Sequence, residues 1–303
     1  MKRLLATGLS GFVGRHLSHC LNSGDTGWQL IAPQPHDLLE PATLDCWLAE
    51  DCPDAVIHLA GQALVPEAFR DPQRTLQVNV LGTLNLLQAL KRRGFSGAFL
   101  YVSSGDVYGQ VAEQVLPITE ECVAHPRNPY AVSKLSGELL CEQWSYCESW
   151  RIMAARPFNH IGPGQAAGFV VPGVARQLAE IRIGLREAVL NVGDIDVTRD
   201  FLDVQDVISA YLAMLEHGRS GQIYNVCSGV ERSVRGMIEL MVEMSGLQVE
   251  IRQDPTSFRK AEQRRVVGCA NKLNKETGWK PGISITETLQ SVMSDWEARV
   301  VEK

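Results

Sequence analysis

Short apolar segments alternate with longer stretches of helical periodicity through the first half of this 303-residue chain. The short segments are apolar or β-branched enough for strands that are buried on both faces, as in parallel sheets. They predict strands over residues 3–7, 29–33, 55–60, 98–104 and 151–157. The clearest helical stretches between them cover residues 12–22, 74–93 and 130–146. This alternation predicts an α/β fold with a doubly wound parallel sheet.

The second half of the chain follows a different pattern. Segments punctuated by Pro and Gly begin after residue 157, for example Ile161-Gly162-Pro163-Gly164, and they indicate a smaller mixed α/β lobe. Residues 224–227 predict a strand that returns to the main sheet, and residues 233–245 predict a helix. We therefore expect a Rossmann-type main domain from residues 1–157 and about 200–230, and a smaller lobe from about 158–199 and 231–303.

The composition excludes several classes of protein. A net charge of −6 and a pI of about 5.7 predict no nucleic-acid partner, because no basic field covers the chain. The eight cysteines are scattered, without a Cys-x-x-Cys motif, so we expect reduced thiols and no metal site. The apolar run after Met1-Lys2-Arg3 is short and ends at Gly8. We therefore expect no signal peptide, no membrane span and a cytoplasmic location.

Three glycines with the spacing G-x-x-G-x-x-G lie where the first predicted strand becomes the first helix. They allow a tight turn, close approach of a phosphate, and close packing of helix on strand. A dinucleotide pyrophosphate fits there because backbone N–H groups and the helix N-terminus point at it. A plain glycine-rich turn is the alternative reading. The residues predicted to bind the cofactor here are Gly8, Ser10, Gly11, Phe12, Val13 and Gly14.

The second predicted strand ends without an Asp or Glu, where an NAD-selective site holds the ribose hydroxyls. NADPH is therefore not repelled, and we expect NADP(H) as the preferred cofactor, with NAD(H) as an alternative. Asp37 and Leu38 are predicted to flank the adenine, although Asp37 fits a helix cap equally well. The end of the third strand leaves room for the cofactor at Leu59, Ala60 and Gly61, preceded by a His that fits the core equally well.

Tyr130 and Lys134 lie one turn apart on the same face of a predicted helix. A Lys ammonium beside a Tyr hydroxyl is expected to lower the hydroxyl pKa from its usual value of about 10. Ser104 ends the fourth predicted strand, at the carboxyl edge that also carries the glycine turn. Together these residues predict reduction of a carbonyl, in which Tyr130 protonates the oxygen, Lys134 tunes the Tyr and Ser104 orients the substrate.

These motifs resemble the extended short-chain dehydrogenase/reductase family over essentially the whole chain. The resemblance is carried by residues 7–14, 58–61, 79–83, 103–109 and 130–134. It implies catalytic roles for Ser104, Tyr130 and Lys134, and a cofactor contact for the last two as well. It also implies that Asn79 supports the site, although Asn79 fits a polar core residue equally well. Relatives in the family commonly form homodimers, here through the predicted helices 74–93 and 130–146.

Residues 128–134 and 156–160 are similar to enzymes that act on GDP-mannose derivatives. The dehydratases of that group carry Thr-Ser-Glu or Thr-Asp-Glu at the end of the fourth strand, whereas this chain has Ser104-Gly105-Asp106. Asp106 keeps a shorter carboxylate and is a catalytic candidate, but Gly105 has no side chain, so the relay for elimination is incomplete.

The resemblance therefore implies NAD(P)H-dependent reduction of the 4-keto group of GDP-4-dehydro-6-deoxy-D-mannose to GDP-D-rhamnose. The substrate partner is then a GDP-linked 4-keto-6-deoxy sugar. Three alternatives remain open: a GDP-mannose 4,6-dehydratase, a sugar-nucleotide 4-epimerase, and, outside the enzymes, a cofactor-binding sensor.

The resemblance assigns dinucleotide binding to the main domain and sugar-nucleotide binding to the smaller lobe. It implies substrate contacts from Ser104, Asn159, Arg199, Arg259 and Glu262. The planar fork of Arg199 suits a diphosphate, and a surface Arg paired with a nearby Asp is the alternative. The segment with Arg259 and Glu262 departs from the family, since Lys260 stands where Pro is usual.

Overall fold

The computed structural model describes residues 1–24, 26–48, 52–254 and 263–301. Its strands are β1 (Lys2–Thr7), β2 (Trp28–Leu30), β3 (Ala55–His58), β4 (Ala98–Val102), β5 (Arg151–Pro157), β6 (Asn159–Ile161), β7 (Val189–Val192), β8 (Thr198–Asp203), β9 (Gln222–Val226), β10 (Glu231–Ser233) and β11 (Glu250–Gln253). The main sheet contains six strands in the order β2-β1-β3-β4-β5-β9, and every neighbouring pair is parallel.

The α-helices are α1 (Phe12–Ser23), α2 (Pro41–Trp47), α3 (Val65–Arg70), α4 (Pro72–Leu76), α5 (Gly82–Arg92), α6 (Pro129–Cys147), α7 (Val170–Arg182), α8 (Val204–His217), α9 (Val234–Ser245), α10 (Asn271–Thr277) and α11 (Ile285–Val301). A π-helical segment (Gln77–Leu81) joins α4 to α5, and short 3-10 turns cover Gly105–Tyr108 and Glu113–Val115. Among the described residues, no helix has both the length and the apolarity to cross a bilayer.

The main sheet has an apolar core on each face, as the doubly wound prediction requires. Side chains of α1, α8 and α10 pack on one face, and side chains of α2, α5 and α6 pack on the other. A parallel sheet is stable in this arrangement because both faces are covered by helices. The predicted fold class is confirmed.

The smaller lobe is built on two short sheets, with the strand orders β10-β8-β6 and β11-β7. Helices α7, α9 and α11 cover them with an apolar core of their own. The lobe core includes Phe201 and Trp296. Leu273 of α10 and Trp279, two residues after this helix, pack instead with the main core. The C-terminal part of the chain therefore contributes to both cores.

The structure refines the predicted elements. Strand β5 has the predicted bounds, whereas β2 ends at Leu30; the Ile31 N–H still donates to the Leu4 carbonyl at 2.8 Å, and Pro33 has no N–H with which to extend the ladder. Strands β3 and β4 end two residues before their predicted limits, at His58 and Val102. The predicted helix 74–93 is interrupted by the π-helical segment, a feature frequent at functional sites. The apolar periodicity continues through that segment and does not reveal it.

Candidate active site

The turn between β1 and α1 is shaped by its glycines. Gly8 has a φ of +75°, and a Cβ there would lie 2.7 Å from the backbone nitrogen of Ala60. A Cβ at Gly14 would lie 2.2 Å from the Gly8 carbonyl oxygen, which accepts a 3.0 Å hydrogen bond from the Gly11 N–H. Glycine is required at positions 8 and 14, because a side chain would displace backbone atoms. The turn thus brings β1, α1 and the end of β3 close together.

The N-terminus of α1 is suited to an anion. Within this helix and its flanking residues, all of them described, no side chain caps the N-terminus and the first turn carries no acidic residue. The N–H groups of Phe12, Val13 and Gly14 have no intrahelical acceptor, and the helix dipole adds positive potential. Ser10 lies exposed beside them. These predicted cofactor residues form a cradle that suits a pyrophosphate, and their contact with it stays a prediction.

The residues after β2 and β3 differ in their openness to a ligand. Leu38 is buried and packs against Gly82 of α5, so it belongs to the core. Asp37 is exposed, and its carboxylate accepts a 2.9 Å hydrogen bond from the Leu39 N–H, which closes a turn before α2. A Cβ at Gly61 would lie 3.4 Å from Nζ of Lys134. The predicted segment 59–61 therefore runs from the glycine turn to Lys134, one of the predicted catalytic residues.

His58 is a core residue within a directed chain of hydrogen bonds. Burial lowers its pKa to about 3, so the imidazole is neutral. Because Thr83 donates its hydroxyl to the Asn79 carbonyl at 2.7 Å, it accepts from Nε2 of His58 at 3.1 Å. Nδ1 then accepts from the hydroxyl of Thr7 at 2.7 Å, and Thr7 accepts from the Ala60 N–H at 3.1 Å. This chain joins β1, β3 and the π-helical segment.

Tyr130 and Lys134 lie near the start of α6. Asn128 caps the helix by accepting a 2.7 Å hydrogen bond from a backbone N–H three residues on, and Pro129 occupies the first turn. Nζ of Lys134 lies 6.0 Å from the centroid of the Tyr130 ring and donates to the Val102 carbonyl at 2.8 Å. The lysine is thus held between the end of β4 and the tyrosine.

Ser104 completes the catalytic group. It is hydrogen-bonded to the side chain of Tyr130. Its Oγ also accepts a 3.1 Å hydrogen bond from the Asp106 N–H, which starts the 3-10 turn after β4. The structure therefore brings the three predicted catalytic residues to one place at the carboxyl edge of the main sheet, with exposed Asp106 beside them.

The net pKa of Tyr130 is raised, so the predicted net lowering is wrong. Burial is the largest cause, the Asp106 carboxylate adds to it, and the hydrogen bond with Ser104 opposes it. The nearby ammonium does not reverse this effect, because it is directed to a backbone carbonyl and not to the phenol oxygen. Tyr130 is consequently protonated at neutral pH, which is the form that donates a proton.

Two opposing effects within the protein act on the pKa of Lys134. Burial lowers the pKa of Lys134 to about 8, while the Glu138 carboxylate raises it. Glu138 is 4% exposed and pairs with Arg156 through N–O distances of 2.6 and 3.0 Å. Sequence reasoning missed both residues: the four-residue spacing on one helix is a signal that Glu138 lies beside Lys134, whereas no local spacing indicates its ion pair with Arg156.

Asn79 in the π-helical segment uses its whole side-chain amide within the protein. Its Oδ1 accepts from the Gln62 N–H at 2.8 Å, and its Nδ2 donates to the Gln62 carbonyl at 3.0 Å and to Ser133 at 2.8 Å. It therefore ties the loop after β3 to α6. This arrangement holds Gly61 beside Lys134, in agreement with a supporting role.

Gly105 faces a tightly packed neighbour. A Cβ at this position would lie 3.3 Å from the ring of Phe158, so a side chain here would require the ring to shift. The 3-10 turn therefore has little room for a side chain at this position.

Two of the predicted substrate residues, Asn159 and Arg199, lie on the three-stranded sheet of the lobe. Asn159 on β6 is exposed, and Arg199 on β8 donates to the carbonyls of Thr198 at 2.7 Å and Arg264 at 3.4 Å. Arg259 and Glu262 lie outside the described residues. Within the described part of the chain, no group of His, Cys, Asp and Glu is arranged to hold a metal ion.

Comparison with known proteins identifies close relatives. Over the whole chain, the sequence is 61% identical to the GDP-6-deoxy-D-mannose reductase of Pseudomonas aeruginosa, of which 99% is covered. It is 30% identical to a GDP-mannose 4,6-dehydratase of Vibrio cholerae, across 88% of this chain and 78% of that one.

Solved structures agree with these sequence relatives. RMD from Pseudomonas aeruginosa complexed with NADPH matches with a TM-score of 0.95 and 60% identity, covering 99% of this chain and 100% of that one. The UDP-glucose 4-epimerase of Thermotoga maritima with UDP-glucose matches with a TM-score of 0.87 and 25% identity, over 99% and 100% of the two chains. A family model described as GDP-mannose 4,6 dehydratase matches residues 29–292. The chain therefore belongs to the GDP-mannose 4,6 dehydratase family, within the extended short-chain dehydrogenases/reductases.

Proposed function

We propose that this chain catalyses the NADPH-dependent reduction of the 4-keto group of GDP-4-dehydro-6-deoxy-D-mannose to GDP-D-rhamnose. The observation that carries the proposal is the 61% identity, over all of this chain, to a GDP-6-deoxy-D-mannose reductase. The protonated Tyr130 supports it, because reduction of a ketone requires an acid at the reacting oxygen.

The cofactor fits the residues that are present. A Cβ at Gly8 or Gly14 would displace the backbone that shapes the turn, and the N-terminus of α1 at that turn offers backbone N–H groups to a pyrophosphate. The related RMD structure is a complex with NADPH. The end of the second strand and residues 31–36 that follow it carry no Asp or Glu, which leaves room for a 2′-phosphate. NADPH is therefore the cofactor that we assign, with NADH as an alternative.

The catalytic residues of this chain act on the carbonyl oxygen of the substrate. The Ser104 hydroxyl donates a hydrogen bond to that oxygen and orients it, and Tyr130 donates its phenol proton to it as the alcohol forms. The buried ammonium of Lys134 stabilises the phenolate that remains. The nicotinamide, when bound, supplies the hydride to the carbonyl carbon. Asp106 raises the pKa of Tyr130 and so favours its return to the protonated form.

The alternative activities make different demands on the site. A dehydratase requires an acid–base relay at Ser104-Gly105-Asp106, and Gly105 has no side chain to take part in it. A 4-epimerase keeps its cofactor through the cycle and consumes none. A cofactor-binding sensor has no use for a tyrosine that is hydrogen-bonded to Ser104 beside a buried lysine.

A coupled assay separates these activities. The purified chain should oxidise one NADPH for each GDP-4-dehydro-6-deoxy-D-mannose supplied, and it should turn over the dTDP-linked 4-keto sugar far more slowly. Loss of water from GDP-mannose without reduction of the keto sugar would identify a dehydratase instead. Turnover without net oxidation of NADPH would identify an epimerase.

The Tyr130→Phe variant tests the assigned acid. It should lower kcat by at least about 100-fold, since general acid catalysis contributes about 10²- to 10⁴-fold, while the Kd for NADPH stays near that of the parent chain. Cofactor binding measured by fluorescence is the control for folding. Full activity in this variant would refute the mechanism.

We also propose that the two cores correspond to two functional units. The core with α1, α8, α2, α5 and α6 accompanies the cofactor cradle, and the core with α7, α9 and α11 accompanies Asn159 and Arg199. Sugar-nucleotide binding is thereby assigned to the smaller lobe, which the chain enters between β5 and β6 and leaves between β8 and α8. Hydrogen exchange of α7 and α9, slowed by added GDP, is the expected result.

We further propose a homodimer that pairs through α4, the π-helical segment and α6. Apolar side chains on or next to these helices are unusually exposed: Phe69 by 62%, Leu76 by 40%, Leu81 by 50% and Leu139 by 57%. A row of exposed apolar residues along adjacent helices is typical of a protein–protein interface.

The cysteines favour a reducing compartment. All eight are free thiols, and Cys141 and Cys227 are buried. Because disulfides form readily in oxidising compartments, we propose that the chain works in the cytoplasm. Fractionation of cells that express the tagged chain tests this location.

A further inference from the structure

Arg232 lies on β10 directly opposite Arg199 on β8. Residues that oppose each other in an antiparallel ladder project to the same face of the sheet. On the other side of β8, Asn159 of β6 pairs with Phe201, which is two residues from Arg199 and therefore on the same face. Two guanidinium groups and one exposed amide thus project from one face of the lobe sheet.

The hydrogen bonds of Arg232 go to neutral oxygens. Nη1 donates to the Ser228 hydroxyl at 2.9 Å, to the Val230 carbonyl at 3.2 Å and to the Phe201 carbonyl at 3.4 Å. Among the described residues, no carboxylate forms an ion pair with Arg232, in contrast to Arg235, whose Nη2 lies 2.7 Å from an Asp196 oxygen. The remaining N–H groups of Arg232 are therefore open to an anion.

Within the described part of the chain, the carboxylate that acts on Arg232 is Asp200, and its hydrogen-bonding capacity is already used. Four donors bind it: the N–H and hydroxyl of Ser228, the N–H of Gly229 and the N–H of Gly268. Burial lowers the pKa of Arg232, which indicates that its charge is partly withdrawn from water. Like charges that face each other across a ladder are destabilising. An anion bound between the two guanidinium groups would relieve this repulsion and also compensate the partly buried charge of Arg232.

We propose that Arg232 is a second phosphate-binding residue of the substrate site, which holds the diphosphate of the sugar nucleotide together with Arg199. The inference rests on the proposed function, because it takes a GDP-linked sugar as the ligand. A diphosphate suits two arginines, since each planar fork bridges two oxygens of one phosphate.

Calorimetric titration of the full chain with GDP and with guanosine tests this assignment. Arg232→Gln should weaken GDP binding by about 10- to 100-fold, because hydrogen bonds to a charged group are lost, and should leave guanosine binding within about 2-fold. The GDP affinity of Arg232→Lys should lie between those of the parent and Arg232→Gln, because lysine keeps the charge but not the planar fork. Arg235→Gln is the matched control, and its GDP affinity should stay within about 2-fold of the parent because its ion pair is exposed.

Each outcome is decisive. Equal GDP affinity in Arg232→Gln and the parent chain would overturn the assignment. An equal loss of affinity for GDP and guanosine would also overturn it, because it would indicate a structural role. If the parent chain binds no GDP, the proposed function fails, and the assignment of Arg232 to the diphosphate fails with it.

Discussion

Gly8→Ala separates backbone strain from steric conflict in the glycine turn, because the chain contains a matched glycine. Gly8 has a φ of +75°, and an alanine Cβ would meet the Ala60 nitrogen at 2.7 Å and its Cα at 2.9 Å. Gly94 has a φ of +69°, with no atom within 4 Å of its added Cβ. Gly94→Ala therefore carries the backbone strain alone, whereas Gly8→Ala carries both effects.

The expected magnitudes follow from these distances. A non-glycine residue in the left-handed region costs about 1–2 kcal/mol, and this applies to both variants. Gly8→Ala must also push the end of β3 away from β1, since the new contact is much shorter than the ordinary 3.4–4 Å of van der Waals contact. Overpacking of this kind costs about 1–3 kcal/mol. We therefore expect a loss of about 1–2 kcal/mol for Gly94→Ala and about 2–5 kcal/mol for Gly8→Ala.

Urea unfolding measures the stability difference, and fluorescence titration measures NADPH binding. Gly8→Ala should bind NADPH at least about 10-fold more weakly, because the cradle at the N-terminus of α1 is displaced, and Gly94→Ala should bind it as the parent chain does. Equal stability losses in the two variants, with unchanged NADPH affinity, would refute this account of the turn.

Three further predictions concern protons and assembly. Folded His58 has a pKa of about 3, whereas the unfolded chain binds a proton at this residue below about pH 6.5. As the pH falls from 6.5 to 3, the free energy of unfolding of the parent should therefore decrease by up to about 1.4 kcal/mol per pH unit more than that of His58→Asn. Equal pH dependence of the two chains in urea unfolding would contradict this. Asp106→Asn removes a charge that raises the pKa of Tyr130, so the alkaline limb of the pH–rate profile should move to lower pH, and an unmoved limb would count against that role. Leu139→Glu should yield a monomer in size-exclusion chromatography with light scattering. The control is Leu185→Glu, at a 71% exposed position on another surface, which should remain a dimer. A dimeric Leu139→Glu chain would exclude the proposed interface.

The main fold and the position of the site could be read from local signals. The apolar strands, the spacing of Gly8, Gly11 and Gly14, and the one-turn separation of Tyr130 and Lys134 are properties of short segments. Parallel topology then requires the carboxyl ends of neighbouring strands to share one edge, so Ser104 was expected near the tyrosine. The predicted fold class and the predicted positions of these residues agree with the structure, because each depends on residues that are close in the chain or on a general rule of α/β folds; their roles stay predictions.

Other properties were decided by tertiary structure. The direction of the Tyr130 pKa shift depends on burial and on whether the ammonium of Lys134 points at the phenol or at a carbonyl, and the spacing along a helix specifies neither.

By itself, then, the sequence determined the fold class, the glycine turn between β1 and α1, and the edge of the sheet at which Ser104, Tyr130 and Lys134 meet, since these follow from local pattern and spacing. Only the tertiary structure decided that His58 is a neutral core residue and that Arg232 stands opposite Arg199. The physical reason is that burial and cross-strand register arise from segments far apart in the chain, whose contacts form only when the whole domain is folded.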